Sequence, residues 1–231
     1  EYAPGIYSGT RWFFNNDDLM KHTADYHLMV NMASVRCDGL ESADFADNYN
    51  FYPTDGMTLF QRRGDEYFRI MGGWDVTASP GVTAREGMDR LVPVTNWRGY
   101  CSRHNFAAGA ADGGDYAVGG YIFEKMYGPD KENPDYKGGH PKKNALLYGF
   151  KAYKGYFILG DYLVALGAGV TNLEPEQEGN IRTTLDQTAR TSPVYLLEKG
   201  RKKPLPMGVT TLDARQLKNA WIVQEGQFAY R

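Results

Sequence analysis

The residues able to do chemistry sit in long polar loops between short apolar runs. Arg36 and Glu41 lie together in Arg36-Cys37-Asp38-Gly39-Leu40-Glu41-Ser42, and Asp44, Asn48 and Asn50 follow before Thr54-Asp55-Gly56-Met57. Further on come Trp74, then Pro80-Gly81-Val82-Thr83, and Arg103-His104-Asn105 ahead of an Ala/Gly-rich segment. Guanidinium groups, carboxylates, planar amides and an indole are the groups that bind hydroxyls and stack on ring faces. The chemistry they suggest is recognition of carbohydrate.

Other chemistries find less support. The four histidines, His22, His27, His104 and His140, show no metal-ligand spacing. His22 and His27 are five apart and are not expected to share a face. No metal and no cofactor is expected. Gly167-Ala168-Gly169 lacks the third glycine and the following helix of a dinucleotide fingerprint, so it reads as a tight exit from a strand. No serine sits in a nucleophile elbow, and no cysteine–histidine signature is present. Asp17-Asp18 and Asp65-Glu66 read as solvated acids at turns. Cys37 and Cys101 allow one bridge or two free thiols, and free thiols are expected.

Strands must position these loops. Tyr26 to Arg36 is an apolar-rich run, and Tyr116 to Tyr127 alternates through Val118, Tyr121 and Phe123. Three hairpins are predicted: Gly56–Arg63 with Glu66–Met71 across Gly64-Asp65, Tyr156–Leu159 with Leu163–Leu166 across Gly160-Asp161, and Trp221–Val223 with Gln227–Tyr230 across Glu225-Gly226. Helical periodicity is poor, with single turns expected at Asp17–His22 and Asp213–Asn219. Residues 128–143 hold three prolines and many charges and read as a long loop. The last hairpin breaks off at Arg231 in mid-strand, which leads to the expectation of further chain downstream.

Composition agrees with an all-β domain. Aromatic residues make up 14% of the chain, with 17 Tyr, and Gly reaches 27, a mixture suited to twisted antiparallel sheets. At 231 residues one large sandwich is the simplest count. The net charge of −2 provides no basic face for nucleic acid and no polybasic membrane patch, and no apolar run is long enough to span a bilayer.

Taken in order, these blocks resemble the central sandwich of polysaccharide lyase family eight, which contains chondroitin AC, hyaluronate and xanthan lyases. The resemblance runs from about Asn16 to Arg231. It implies a large antiparallel β-sandwich of the supersandwich, galactose-mutarotase-like kind, with a catalytic helical toroid and a small C-terminal β domain outside this chain. With Asp55-Gly56 matched, the family's glutamate falls on Glu41 and its upstream arginine on Arg36. Its asparagine three residues after the glutamate falls on Asp44, a departure that removes an amide donor. The resemblance implies β-elimination next to a uronic acid, with Glu41 supporting the proton-transfer residues of the toroid. Substrate contacts are expected from Arg36, Asp44, Asn48, Asn50, Trp74, Arg103, His104 and Asn105. The expected partners are an acidic, glycosaminoglycan-like polysaccharide and the toroid, and the expected address is secreted or periplasmic in a bacterium. The chain by itself is expected to be inactive. Two other readings compete: a non-catalytic carbohydrate-binding sandwich, and a mutarotase-type epimerase that would need His104 and Glu41 side by side.

Overall fold

A computed structural model describes residues 7–37, 55–75, 78–86, 100–127, 149–217 and 219–231. Glu41, Asp44, Asn48 and Asn50, together with the 128–143 segment and His140, lie outside the described residues. The chain divides into two compact units, residues 1–61 with 74–187, and residues 62–73 with 188–231.

The first unit is built on two four-stranded antiparallel sheets. Strands β1 (Gly9–Phe13), β2 (Asp18–His22), β3 (His27–Asn31) and β4 (Met57–Gln61) follow one another as a meander. The second sheet has the order β11-β10-β8-β7, from β7 (Ala107–Ala111), β8 (Tyr116–Phe123), β10 (Phe150–Leu159) and β11 (Tyr162–Asn172). Two small pairs complete it: β5 (Thr83–Arg85) with β12 (Ile181–Thr183), and β6 (Tyr100–Ser102) with β9 (Lys125–Tyr127).

The period-2 pattern decides which face is buried. On β10, Phe150, Ala152, Tyr156 and Ile158 point inward, and Phe123 and Tyr121 of β8 join them. Leu19, Leu28, Val30 and Met32 close the core from the other sheet. Phe123 stacks on Phe150 with ring centroids 5.0 Å apart. Each fully buried large side chain here contributes about 1.5–3 kcal/mol of transfer free energy. The sheets approach closely where Gly109 faces Trp12, since a Cβ at Gly109 would lie 2.7 Å from the indole. Lys21, almost fully buried, ties the meander to the second sheet by donating to Asp115 Oδ1 at 2.9 Å and the Gly160 carbonyl at 2.7 Å.

The second unit carries a sheet of order β14-β13-β15-β16, formed by β13 (Val194–Glu198), β14 (Arg201–Pro204), β15 (Trp221–Gln224) and β16 (Ala229–Tyr230).

The hairpins at Gly160-Asp161 and Glu225-Gly226 form as the sequence implies. At the former, Gly160 takes the φ of 59° that the first position of a type II′ turn demands. Other expectations fail for identifiable reasons. No hairpin forms at Gly64-Asp65. The Glu66 carboxylate accepts the N–H groups of Arg62, Arg63 and Gly64 at 2.7–2.9 Å, which withdraws those donors from strand pairing, and Phe68–Gly73 is a 3-10 helix. Glu66 is therefore buried and not a solvated turn acid. Asp18–His22 is strand, not a helical turn, because Asp17 alone takes the left-handed conformation (φ 56°) and hands the chain over to β2. Gly167-Ala168-Gly169 is not a strand exit but the interior of β11. There two residues, Gly169 and Val170, oppose the single Ala152, and Gly169 adopts the φ of 57° that such a bulge needs.

Candidate functional site

The loop after β3 and the turn between β6 and β7 meet at one end of the first unit. Val35 N–H donates to the His104 carbonyl at 2.9 Å, so Arg36 and the Arg103-His104-Asn105 turn, 67 to 69 residues apart in sequence, share one rim. Arg36 Nη2 donates to Asp17 Oδ1 at 2.7 Å and to the Ala107 carbonyl at 3.0 Å. Its side chain is still 47% exposed, while the Asp17 carboxyl is fully buried. The arginine is thus held from beneath by a buried anion and keeps an outer surface towards solvent. This is the arrangement that presents a guanidinium to a carboxylate ligand at little entropic cost.

His104 is placed from both sides. Its N–H donates to Ser102 Oγ at 3.2 Å, and Ser102 Oγ donates to the Ile122 carbonyl at 2.6 Å. Its Nε2 lies 2.7 Å from Glu124 Oε2. Arg103 Nε reaches the other oxygen of Glu124 at 3.4 Å, and the Arg103 N–H donates to the Glu124 carbonyl. Glu124, at the break between β8 and β9, therefore organises this whole corner. Its place in the middle of an alternating run gave no sign of that role. The partner that the structure gives His104 is Glu124, and Glu41, the other half of an epimerase pair, lies outside the described residues. Asn105 is exposed at the tip of the same turn, and its carbonyl accepts from the Ala107 N–H. Trp74 is half-buried beside Asp75, whose N–H donates to Gln187 Oε1 at 2.6 Å.

Asp17 and Asp18 are both buried, contrary to the solvated-turn reading. Burial pushes the Asp18 carboxyl up to about 6, although an amide hydrogen bond from Asn31 opposes the rise. Cys37 is a free thiol that donates to the Asn15 carbonyl, and burial, with the Asp17 charge nearby, pushes it up to about 11. A thiol so far above neutrality is no nucleophile. His22 and His27 do share a face: they are a directly opposed cross-strand pair with ring centroids 5.6 Å apart. Burial and the neighbouring His22 lower the pKa of His27. The five-residue spacing misled because a four-residue hairpin turn reverses the chain between them.

A second polar cluster is closed to solvent. Lys154 points into the core, donates to the Gly81 carbonyl at 3.0 Å and lies near Asp55; burial pushes its ammonium down to about 8 against the pull of that carboxylate. The Tyr156 and Tyr121 hydroxyls converge on Gly56, where a Cβ would meet them at 2.3 and 2.8 Å. Burial raises both phenols. This cluster pins the start of β4 and is out of a ligand's reach. Among the described residues no group of three or more His, Cys, Asp or Glu side chains could hold a metal. No helix of the described residues is long and apolar enough to cross a membrane.

Residues 8–230 match the model of the polysaccharide lyase family 8 super-sandwich domain. The chain belongs to polysaccharide lyase family 8. Within the family it is 32% identical over 183 residues to the chondroitinase-AC of Pedobacter heparinus, an alignment covering 79% of this chain and 22% of that protein. A solved chondroitinase AC lyase, studied as enzyme–oligosaccharide complexes, superposes with a TM-score of 0.73 at 26% identity over 95% of this chain and 28% of its own. The xanthan lyase of Paenibacillus shares the fold at a TM-score of 0.68 and 18% identity, over 93% of this chain and 18% of its own. The chain thus spans less than a third of the length of these family 8 relatives.

Proposed function

We propose that this chain is the sandwich portion of a lyase that cuts uronic-acid-containing, glycosaminoglycan-like polysaccharide, and that the Arg36–His104 rim forms part of one wall of the substrate cleft. The observation that carries the proposal is Arg36 itself, half exposed, braced by the buried Asp17 and joined on one rim by Arg103 and His104. An acidic polysaccharide needs such fixed cationic donors, and the chondroitinase AC relatives act on a polymer of that class.

In the proposed reaction a base removes the proton at C5 of the uronate, and the electron pair forms the C4–C5 double bond. The C4–O4 bond breaks, and an acid protonates the departing O4. Neutralising the uronate carboxylate makes the C5 proton removable, so a guanidinium at the rim lowers the barrier by holding the charge that develops. The proton-transfer groups belong to the helical toroid, with Glu41 in support. Asp44, standing where an amide occurs in related lyases, withdraws one donor from the carboxylate and shifts the load to arginine. The same reading makes the enzyme a secreted or periplasmic bacterial protein.

In the full-length enzyme, Arg36→Ala is expected to lower kcat/KM for chondroitin at least tenfold, and Arg36→Lys to recover part of the loss. Release of unsaturated uronate ends is the readout. Unchanged kcat/KM in a folded Arg36→Ala enzyme removes the rim from the cleft.

A further inference from the structure

Strands β2 and β3 place two histidines and two methionines in one block on the outer face of the meander. His22 stands directly opposite His27, and Met20 directly opposite Met29, two residues further along both strands. Strand alternation sends Leu19, Lys21, Leu28 and Val30 inward, so all four block residues face out, where they are half-buried. The Thr23 N–H donates to the Tyr26 carbonyl, which makes Thr23 and Tyr26 a hydrogen-bonded pair. Pairs alternate along an antiparallel ladder, so His22–His27 and Met20–Met29 are both non-hydrogen-bonded pairs, in which side chains approach most closely. Two imidazoles and two thioethers therefore project from a patch of about 5 by 7 Å, within common reach of one ion.

The spacing of the rings fits that ion. An imidazole nitrogen binds a first-row metal at about 2.0–2.1 Å, which puts the metal about 3.2 Å from the ring centroid. Two imidazoles on one ion then have centroids about 5.2 Å apart at a tetrahedral angle and about 6.4 Å apart at a linear one. The His22 and His27 centroids are 5.6 Å apart, with the rings tilted by 57°. Burial and the neighbouring His22 hold His27 below the usual histidine range, and the neutral ring is the form that ligates.

Donor type selects the metal. Thioether sulfur prefers copper(I) to zinc, calcium or magnesium, and imidazole accepts copper as well. All four donors are neutral. Asp18, next along β2 on the same face, has its carboxyl engaged by the Asn31 amide. Arg11, opposite Met20 on β1, donates its guanidinium to the Ser8 and Thr10 carbonyls and keeps a positive charge on this side of the sheet. Repulsion from that charge scales with the charge of the ion, which favours a monocation over a dication.

We propose that His22, His27, Met20 and Met29 form a binding site for one copper(I) ion on the outer face of the meander. The hairpin end of β3 carries this site, whereas the Arg36–His104 rim follows the other end of the same strand.

Copper(I) itself is the probe, titrated anaerobically into the full-length protein, with accessible thiols alkylated, against a chromophoric copper(I) chelator. Wild type is expected to withdraw one more equivalent from the chelator than His22→Gln/His27→Gln. Met20→Leu/Met29→Leu, which keeps volume and apolarity, is expected to weaken that equivalent at least tenfold. X-ray absorption of the copper-loaded protein should show nitrogen and sulfur neighbours, with the sulfur signal falling in the methionine variant. Thermal unfolding reports whether each variant is folded. Equal copper uptake by wild type and the histidine variant overturns the proposal. Undiminished affinity in the methionine variant, or displacement of copper(I) by an equal concentration of zinc(II), overturns it too. The volume-conserving methionine variant keeps the result readable if the histidine substitutions impair folding.

Discussion

Replacing Arg36 by alanine leaves Asp17 as a buried carboxylate without its main partner. The Arg36–Asp17 contact, at 2.7 Å, is a charge-assisted hydrogen bond of the class that contributes about 1.5–3 kcal/mol; because the arginine is 47% exposed, we take about 2 kcal/mol. The bond to the Ala107 carbonyl adds about 1 kcal/mol. A loss of about 3 kcal/mol corresponds to a fall in Tm of about 6–12 °C for a chain of this size. Thermal unfolding of the full-length protein, followed by calorimetry, measures the transition that contains this unit. The cause is separable by a second substitution. In Arg36→Ala the exposed deficit is a buried charge, so adding Asp17→Asn should recover about half of the loss. A fall of less than about 0.5 kcal/mol, the size of an ordinary surface substitution, or a double variant no more stable than the single, refutes the buried-anion brace.

Lys154 titrates at about 8 in the fold against 10.5 when free, so between those values the unfolded chain binds more protons and stability rises with pH. The amplitude is about 3 kcal/mol, and chemical denaturation at stepped pH should show it in wild type and not in Lys154→Met. Asp18 runs the other way. Its carboxyl is raised from 3.8 to about 6, so it stabilises at acid pH and that contribution disappears as the pH rises through 6. Asp18→Asn should therefore raise stability by about 3 kcal/mol at neutral pH and leave it unchanged at the acid end. Gly56→Ala, at φ 84° and facing two buried hydroxyls at under 3 Å, should cost about 3 kcal/mol in the same assay.

The alternation in β8 and β10 and the glycine turns were readable in the sequence because they follow from local geometry. Family membership was readable from the ordered motifs. The rim was readable only in part. Arg36 and the Arg103-His104-Asn105 turn carried suggestive residue types, but their meeting depends on the Val35–His104 backbone bond between distant loops. Glu124 and Asp17 were missed for one reason. A carboxylate inside an alternating run or at a turn has the same sequence signature whether it faces water or braces a cation. His22 and His27 show the converse error, since spacing along a chain says nothing about faces once a hairpin intervenes.

The account rests on this sandwich serving a uronate-eliminating enzyme while carrying none of the proton-transfer groups itself. The direct measurement is the appearance of unsaturated uronate ends when chondroitin is incubated with the full-length protein and, in parallel, with residues 1–231 alone. The account predicts steady accumulation with the former and none with the latter. Saturated products or no cleavage from the full-length protein, or unsaturated ends from the isolated chain, would contradict it.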